Sequence, residues 1–474
     1  MRGPFLLAAV AALALLACAD GDDHPSAAPT PSAEALTAQG GGATVDLAGS
    51  GAFAQPVPGL DGEQRTTFAV GNNFFNDNWV TAPASTTGRD GLGPLFNAQS
   101  CSSCHFRDGR AQPPADGDDP ERGLLFRIGV VGADDIPEPH RVLGGQLQDQ
   151  AIRGVPEEGR VVITHTEQPG TYDDGTPYSL LAPTYEVLDE RGEPVEDLLI
   201  SPRIAPPVFG VGLLEGVPAD DVLALADPED DDGDGISGRA NLVPDPAAPA
   251  GAPILGRFGW KAAVPGVEEQ NAGAFAGDIG ITSSLRPDQP CTRLQPECLS
   301  APDGGDPEVD GRKLDQVTFY TRTLAVPARR DVGAAGTTAG QATFDDLGCA
   351  GCHVAELRTG PSDIAALDEQ AIRPYTDLLL HDLGKRLADP RPGGDVVGEP
   401  DTDPTGREWR TPPLWGIGLV ETVNRHTRFL HDGRARNLEE AILWHGGEAE
   451  RAQQRYLALD AESRATLIEF LESL

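Results

Sequence analysis

The chain has 474 residues, room for two or three domains, with 74 acidic against 36 basic side chains and a formal net charge of −38. That charge makes nucleic acid and anionic membrane surfaces poor partners and favours a protein with a basic face, unless the acidity serves solubility alone. The 57 glycines and 42 prolines require much of the chain to be turn and loop.

At the amino terminus, Arg2 precedes an apolar run from Phe5 to Leu16 that is too short to span a bilayer. This predicts a signal peptide over residues 1–17. Cys18 directly follows Leu15-Leu16-Ala17, which resembles a bacterial lipobox and predicts lipidation of its thiol. The alternative is an ordinary signal peptide cut nearby. Ala19 is not the aspartate of inner-membrane retention, which favours the outer membrane. Residues 18–45, rich in Ala, Pro, Ser and Gly, form a flexible tether. The expected product is exported and periplasm-facing, touching a membrane only through its lipid.

Next comes Cys101-Ser-Ser-Cys104-His105, and the same pentapeptide pattern returns at Cys349-Ala-Gly-Cys352-His353. Cys-x-x-Cys-His is the attachment pattern of covalent c-type haem. Both thiols can reach the haem vinyl groups, and the histidine that follows can reach the iron. Zinc would need further paired ligands that the remaining cysteines do not supply. His105 and His353 are therefore expected as proximal iron ligands of two haems.

Between about 120 and 200, the alternating runs Leu124–Val131, Arg160–Thr166 and Thr184–Leu188 predict short strands in a loop-rich insertion. Within 230–241, Asp230, Asp232 and Asp234 alternate ahead of Gly235, the first half of an EF-hand-type loop. They are expected as Ca²⁺ ligands, although Asn241 replaces the glutamate usual at the twelfth position; an acidic turn without metal is the alternative. Cys291 and Cys298 are expected to form a small disulfide loop in an oxidising compartment, with two free thiols as the alternative. Amphipathic stretches at Leu314–Leu324 and Ala461–Leu474 predict helices.

An internal repeat organises these pieces. Phe96-x4-Cys101 matches Phe344-x4-Cys349, and Pro206-Pro-Val-Phe-Gly-Val-Gly-Leu-Leu-Glu215 matches Pro412-Pro-Leu-Trp-Gly-Ile-Gly-Leu-Val-Glu421. Trp260-x6-Val267-Glu-Glu matches His431-x6-Leu438-Glu-Glu. The simplest account is a duplicated haem domain, with an enlarged first copy at 46–326 and a compact second at 327–474.

The repeat makes the two irons unequal. Leu438, Ile442 and His445 share one helical face, and the only methionine of the chain is Met1. His445 is the expected sixth ligand of the second haem, with His431, His381 and His426 as alternatives. Its counterpart in the first copy is Ala274, which cannot bind iron. The first haem is then five-coordinate or water-bound, unless His140 or His165 fills it. An open ferric haem suits peroxide chemistry, which needs a nearby acid/base group. Asp278, placed just past the end of a helix, is the candidate, a solvated loop carboxylate being the alternative. Trp260 is a candidate electron relay between the haems, or else a buried packing residue.

These blocks resemble the bacterial di-haem oxidoreductase family, formerly labelled thiol oxidoreductases and related to the di-haem cytochrome c peroxidases. The resemblance rests on Gly93–His105, Asp232–Asn241, Gly256–Ala262, Trp409–Gly416 and His431–His445, and runs from about residue 45 to the end. It implies a mainly α fold of two cytochrome-c-like domains with facing haems. It implies a peroxidase reducing hydrogen peroxide at the N-terminal haem, fed through the C-terminal haem by a soluble cytochrome or cupredoxin. In the peroxidase relatives, a methionine ligand stands where His445 does and a glutamate near Asp278. An electron-transfer cytochrome, or an oxidase acting on a partner protein or substrate, is the alternative function.

Overall fold

The computed structural model describes residues 31–114, 123–132, 137–248, 251–389 and 406–474; the expected signal peptide and Cys18 lie outside these residues. Side-chain caps set where its helices begin. At α1 (Gly62–Asn76) the Asp61 carboxylate accepts the Glu63 and Gln64 N–H groups, while the Gln64 side chain accepts the Asp61 N–H, closing a capping box.

The insertion follows as β1 (Leu124–Val131), β2 (Arg160–Thr171), β3 (Pro177–Leu188) and β4 (Leu199–Ile204). Strands β2 and β3 form a long antiparallel hairpin from Arg160↔Leu188 to Thr171↔Pro177, and β1 pairs antiparallel with β4. After them come α2 (Val211–Gly216), α3 (Val267–Asp278), α4 (Gly311–Arg322) and α5 (Ala335–Leu347). The chain closes with α6 (Val420–Asn424), α7 (Leu438–Trp444) and α8 (Ala461–Ser473). Asp310, Asn437 and Asp460 cap α4, α7 and α8 by accepting N–H groups of the first turn.

The expectation of a mainly α fold is wrong. The described residues are 30% helical and 19% strand, with many small sheets. Two causes are visible. Each strand of the hairpin has 12 residues, well beyond the alternating runs Arg160–Thr166 and Thr184–Leu188 proposed for them, and the hairpin tip packs against the C-terminal half. Tyr172 at its tip donates to Glu439 (2.6 Å), Asp174 pairs with Arg464 (2.7 Å), and Tyr172 and Leu180 enter the core built by α5, α7 and α8. Both Cys-x-x-Cys segments are single 3-10 turns, not α-helix.

Residues Ala33–Leu474 pack as one unit. Its largest apolar core joins Phe53, Phe75, Phe209, Phe275 and Tyr320, and a second gathers Phe344, Tyr375, Trp444, Tyr456 and Phe470. The two copies of the Pro-Pro-x-aromatic-Gly block meet directly. A β-carbon at Gly210 would strike the Trp415 ring and one at Gly416 would strike Phe209, and both glycines are left-handed, with φ of 75° and 71°. Helix pairs repeat a contact as well. Gly71 of α1 lies against the main chain at Gln316 of α4, and Gly340 of α5 against that at Thr466 of α8. Among the described residues no helix is long and apolar enough to cross a membrane.

The glycine contact is testable. Alanine in a helix interior is favoured over glycine by about 0.5–1 kcal/mol. At position 340, however, the added carbon collides with the Thr466 carbonyl oxygen, and overpacking costs about 1–3 kcal/mol. Gly340→Ala is therefore expected to lower stability by about 1–2 kcal/mol in thermal unfolding. Gly62→Ala, with nothing within 4 Å, should leave stability unchanged or raise it slightly.

Candidate functional site

The two motif turns are built alike. His105 N–H donates to the Cys101 carbonyl at 2.9 Å and His353 N–H to the Cys349 carbonyl at 3.0 Å, so each histidine folds back over its first cysteine. Gly348, left-handed at φ 90°, stops α5 and starts the second turn. Each imidazole then gives Nδ1–H to a main-chain carbonyl, His105 to Pro206 at 2.7 Å and His353 to Tyr375 at 3.0 Å. That bond assigns the tautomer and leaves Nε2 as the free nitrogen. Phe75 and Phe344 sit beside the two rings, with centroids 6.1 and 6.2 Å away. Enclosure pushes both histidines down to about 4, so they are neutral at ordinary pH, the form that binds a metal.

None of the four motif cysteines is in a disulfide. Enclosure pushes Cys101 and Cys349 up to about 12, opposite to the depressed values of reactive dithiols. Thiols so raised are poorly suited to redox exchange.

Both motifs open onto one continuous cavity of about 1030 Å³. This is at the top of the range of ordinary small-molecule pockets, about 300–1,000 Å³, and its wall is mostly apolar. Cysteines at the wall, a free imidazole nitrogen beside each pair and a large, mostly apolar volume fit two porphyrins.

On the second motif's side, His445 ends α7 and lines the cavity. Its Nδ1–H donates to the Ala441 carbonyl at 2.6 Å, again leaving Nε2 free. Its ring lies near enough to His353 to contribute to the lowering there. The other histidines are placed differently. His381 has Asp377 on Nε2 and Glu448 on Nδ1, each at 2.7 Å; burial opposes its charge, but these bonds outweigh that and keep it protonated. His426 faces the Arg110 carbonyl through Nε2 and accepts the Arg428 N–H at Nδ1. His431 lines the cavity, stacked on Trp409 at 3.8 Å. His140 accepts the Leu143 N–H within a turn, His165 lies on β2, and neither is in the cavity wall.

On the first motif's side the wall is formed by α3, with Ala274 and Asp278 lining the cavity. Asp278 is the last residue of α3 rather than a loop residue beyond it. Enclosure raises its carboxyl above the usual range, partly offset by Arg127 and by a hydrogen bond from Gln146 Nε2 at 3.0 Å. Arg127, Gln146 and Gln148 also line this end. No sequence signal marked them, because they come from the insertion and approach α3 only through tertiary packing.

Trp260 lines the cavity, donates its indole N–H to the Ile204 carbonyl at 2.9 Å and sits edge-on to His431 at 6.4 Å. Trp260, His431 and Trp409 thus form a column of three rings, of which sequence reasoning had singled out Trp260 as a relay. Lys261 lies 3.9 Å over the Trp409 ring.

In the acidic loop the converging carboxylates belong to Asp227, Asp230 and Asp232. Asp234 is not among them and accepts the Ile236 N–H at 2.8 Å, while the Asn241 amide donates to the Lys261 carbonyl at 3.0 Å. Asp227 precedes the EF-hand pattern and was missed. Ile236 of the loop packs over Gly351 in the second motif. Cys291 and Cys298 form a disulfide, and Cys291 lies at the cavity wall.

The family model described as "Di-haem oxidoreductase, putative peroxidase" matches residues 34–128 and 157–474. No curated protein and no solved structure matches significantly. Most of the chain, both motif turns included, falls within that match: the chain belongs to the di-haem oxidoreductase family, and its cofactors are haems.

Proposed function

We propose that the chain is an exported, lipid-anchored peroxidase with two covalently attached c-type haems. Hydrogen peroxide is reduced at the Cys101–His105 end, and electrons enter at the Cys349–His353 end. The observation that carries this is the unlike lining of one cavity: His445 faces the second motif, whereas α3 offers Ala274 and Asp278 toward the first.

The motif cysteines would carry the thioether links, and His105 and His353 would hold the irons through Nε2. His445 Nε2 would complete the second iron. Bound haem supplies the one-electron iron couple on which peroxide reduction draws. The protein's part at the first motif is proton handling. Asp278, raised by enclosure, is suited to take a proton from one peroxide oxygen and return it to the other. Two electrons and two protons then balance the conversion of one peroxide to two waters. Trp260, with His431 and Trp409, is a candidate route between the two ends. The donor is a soluble cytochrome or cupredoxin with a basic face, matched to a net charge of −38. Ca²⁺ is proposed in the acidic loop on Asp230 and Asp232, joined by Asp227.

Two outcomes follow. Asp278→Asn should lower kcat/KM for peroxide by about 10²–10⁴-fold while reduction of the protein by its electron donor stays unchanged; full activity in the variant would contradict the assignment. Metal analysis of the purified protein should find calcium that is lost in Asp232→Ala, and equal calcium in both would reject the loop.

A further inference from the structure

Gln146 lies in residues 129–156, between the two stretches that match the family. It nevertheless forms part of the cavity wall beside the first motif. Its Nε2 donates to Asn97 Oδ1 at 2.6 Å, the Gly277 carbonyl at 2.9 Å and Asp278 Oδ1 at 3.0 Å. The amide has two hydrogens to share among these three acceptors, and acceptors alone on this side place the nitrogen, not the oxygen, toward Asp278. The segment is clamped from behind. Gln148 Nε2 donates to the same Gly277 carbonyl at 2.8 Å, and Gln148 N–H donates to Glu158 at 2.7 Å. Glu158 also accepts Gln295 Nε2 at 2.6 Å, tying the clamp to the disulfide loop. The second carboxyl oxygen of Asp278 has no hydrogen bond among the described residues.

We propose that Gln146 is a positioning residue for Asp278: by occupying Oδ1 it presents the other carboxyl oxygen to the cavity, where the peroxide proton is exchanged. This rests on the peroxidase reading above. The carboxyl takes up one proton and gives one back, so it is unchanged over a cycle; the electrons come from the reduced donor. A hydrogen bond to the ionised form also favours that form. Gln146 and Arg127 therefore act together against the upward push of enclosure. The other titratable group that interacts with Asp278 is Cys101 of the motif; Asp149 and Glu158 bond to Asn97 and Gln148, the side chains next to Gln146.

The test uses the holoprotein. The Asp278 carboxyl is titrated by infrared difference spectroscopy, with Asp278→Asn identifying its band, and the pH profile of peroxide kcat/KM is recorded beside it. Gln146→Leu removes the donor and should raise the titration midpoint and the matching limb of the profile by roughly one pH unit. Gln146→Glu, nearly isosteric, adds a like charge and should raise both further. An unchanged midpoint in Gln146→Glu, with the wild-type circular dichroism spectrum retained, would overturn the proposal even if Gln146→Leu failed to fold. Should Asp278→Asn keep full turnover while the midpoint still moves, the peroxidase role of Asp278 fails and the Gln146 contact stands.

Discussion

The hydrogen bond from each motif imidazole to a main-chain carbonyl is the constraint on which the site depends. A free histidine can present either nitrogen and can turn about its side-chain bonds. With Nδ1–H spent on Pro206 or Tyr375, the ring has one nitrogen left and one direction to offer it. The carbonyls come from outside the motif, so the folded chain, not the pentapeptide, orients the imidazole. The pentapeptide contributes the tight turn that sets the thiols beside the ring.

From that shared arrangement the two ends diverge through what faces them. A helix end supplies His445, itself fixed by a bond to Ala441, on one side. On the other, α3 presents alanine and a carboxyl whose proton affinity is a contest between enclosure, which raises it, and Arg127 and Gln146, which lower it. Placing such a carboxyl in a largely apolar cavity is a common way to raise its affinity for a proton.

Much of this was legible in the sequence because it was written in local patterns. The pentapeptides, the repeated Pro-Pro-x-aromatic-Gly block and the strand Leu124–Val131 can all be read from a few neighbouring residues. Spacing also directed attention to His445 and Asp278, both of which line the cavity. What could not be read depended on long-range packing. The hairpin β2–β3 extends to Tyr172 because its tip is held by Glu439 and Arg464, nearly three hundred residues away in sequence. The fold was expected to be mainly α because helical stretches are periodic and easy to recognise, whereas small sheets of two or three residues leave almost no pattern. Gln146 carried no signal, since its role exists only where the insertion meets α3. Asp227 was overlooked because the EF-hand pattern starts three residues later.

Low-temperature electron paramagnetic resonance of the ferric protein, recorded for the wild type and for His445→Ala, tests the inequality of the two ends most directly. The account predicts one high-spin and one low-spin signal in the wild type, the low-spin signal becoming high-spin in the variant. Two low-spin signals in the wild type, both surviving the substitution, would contradict it.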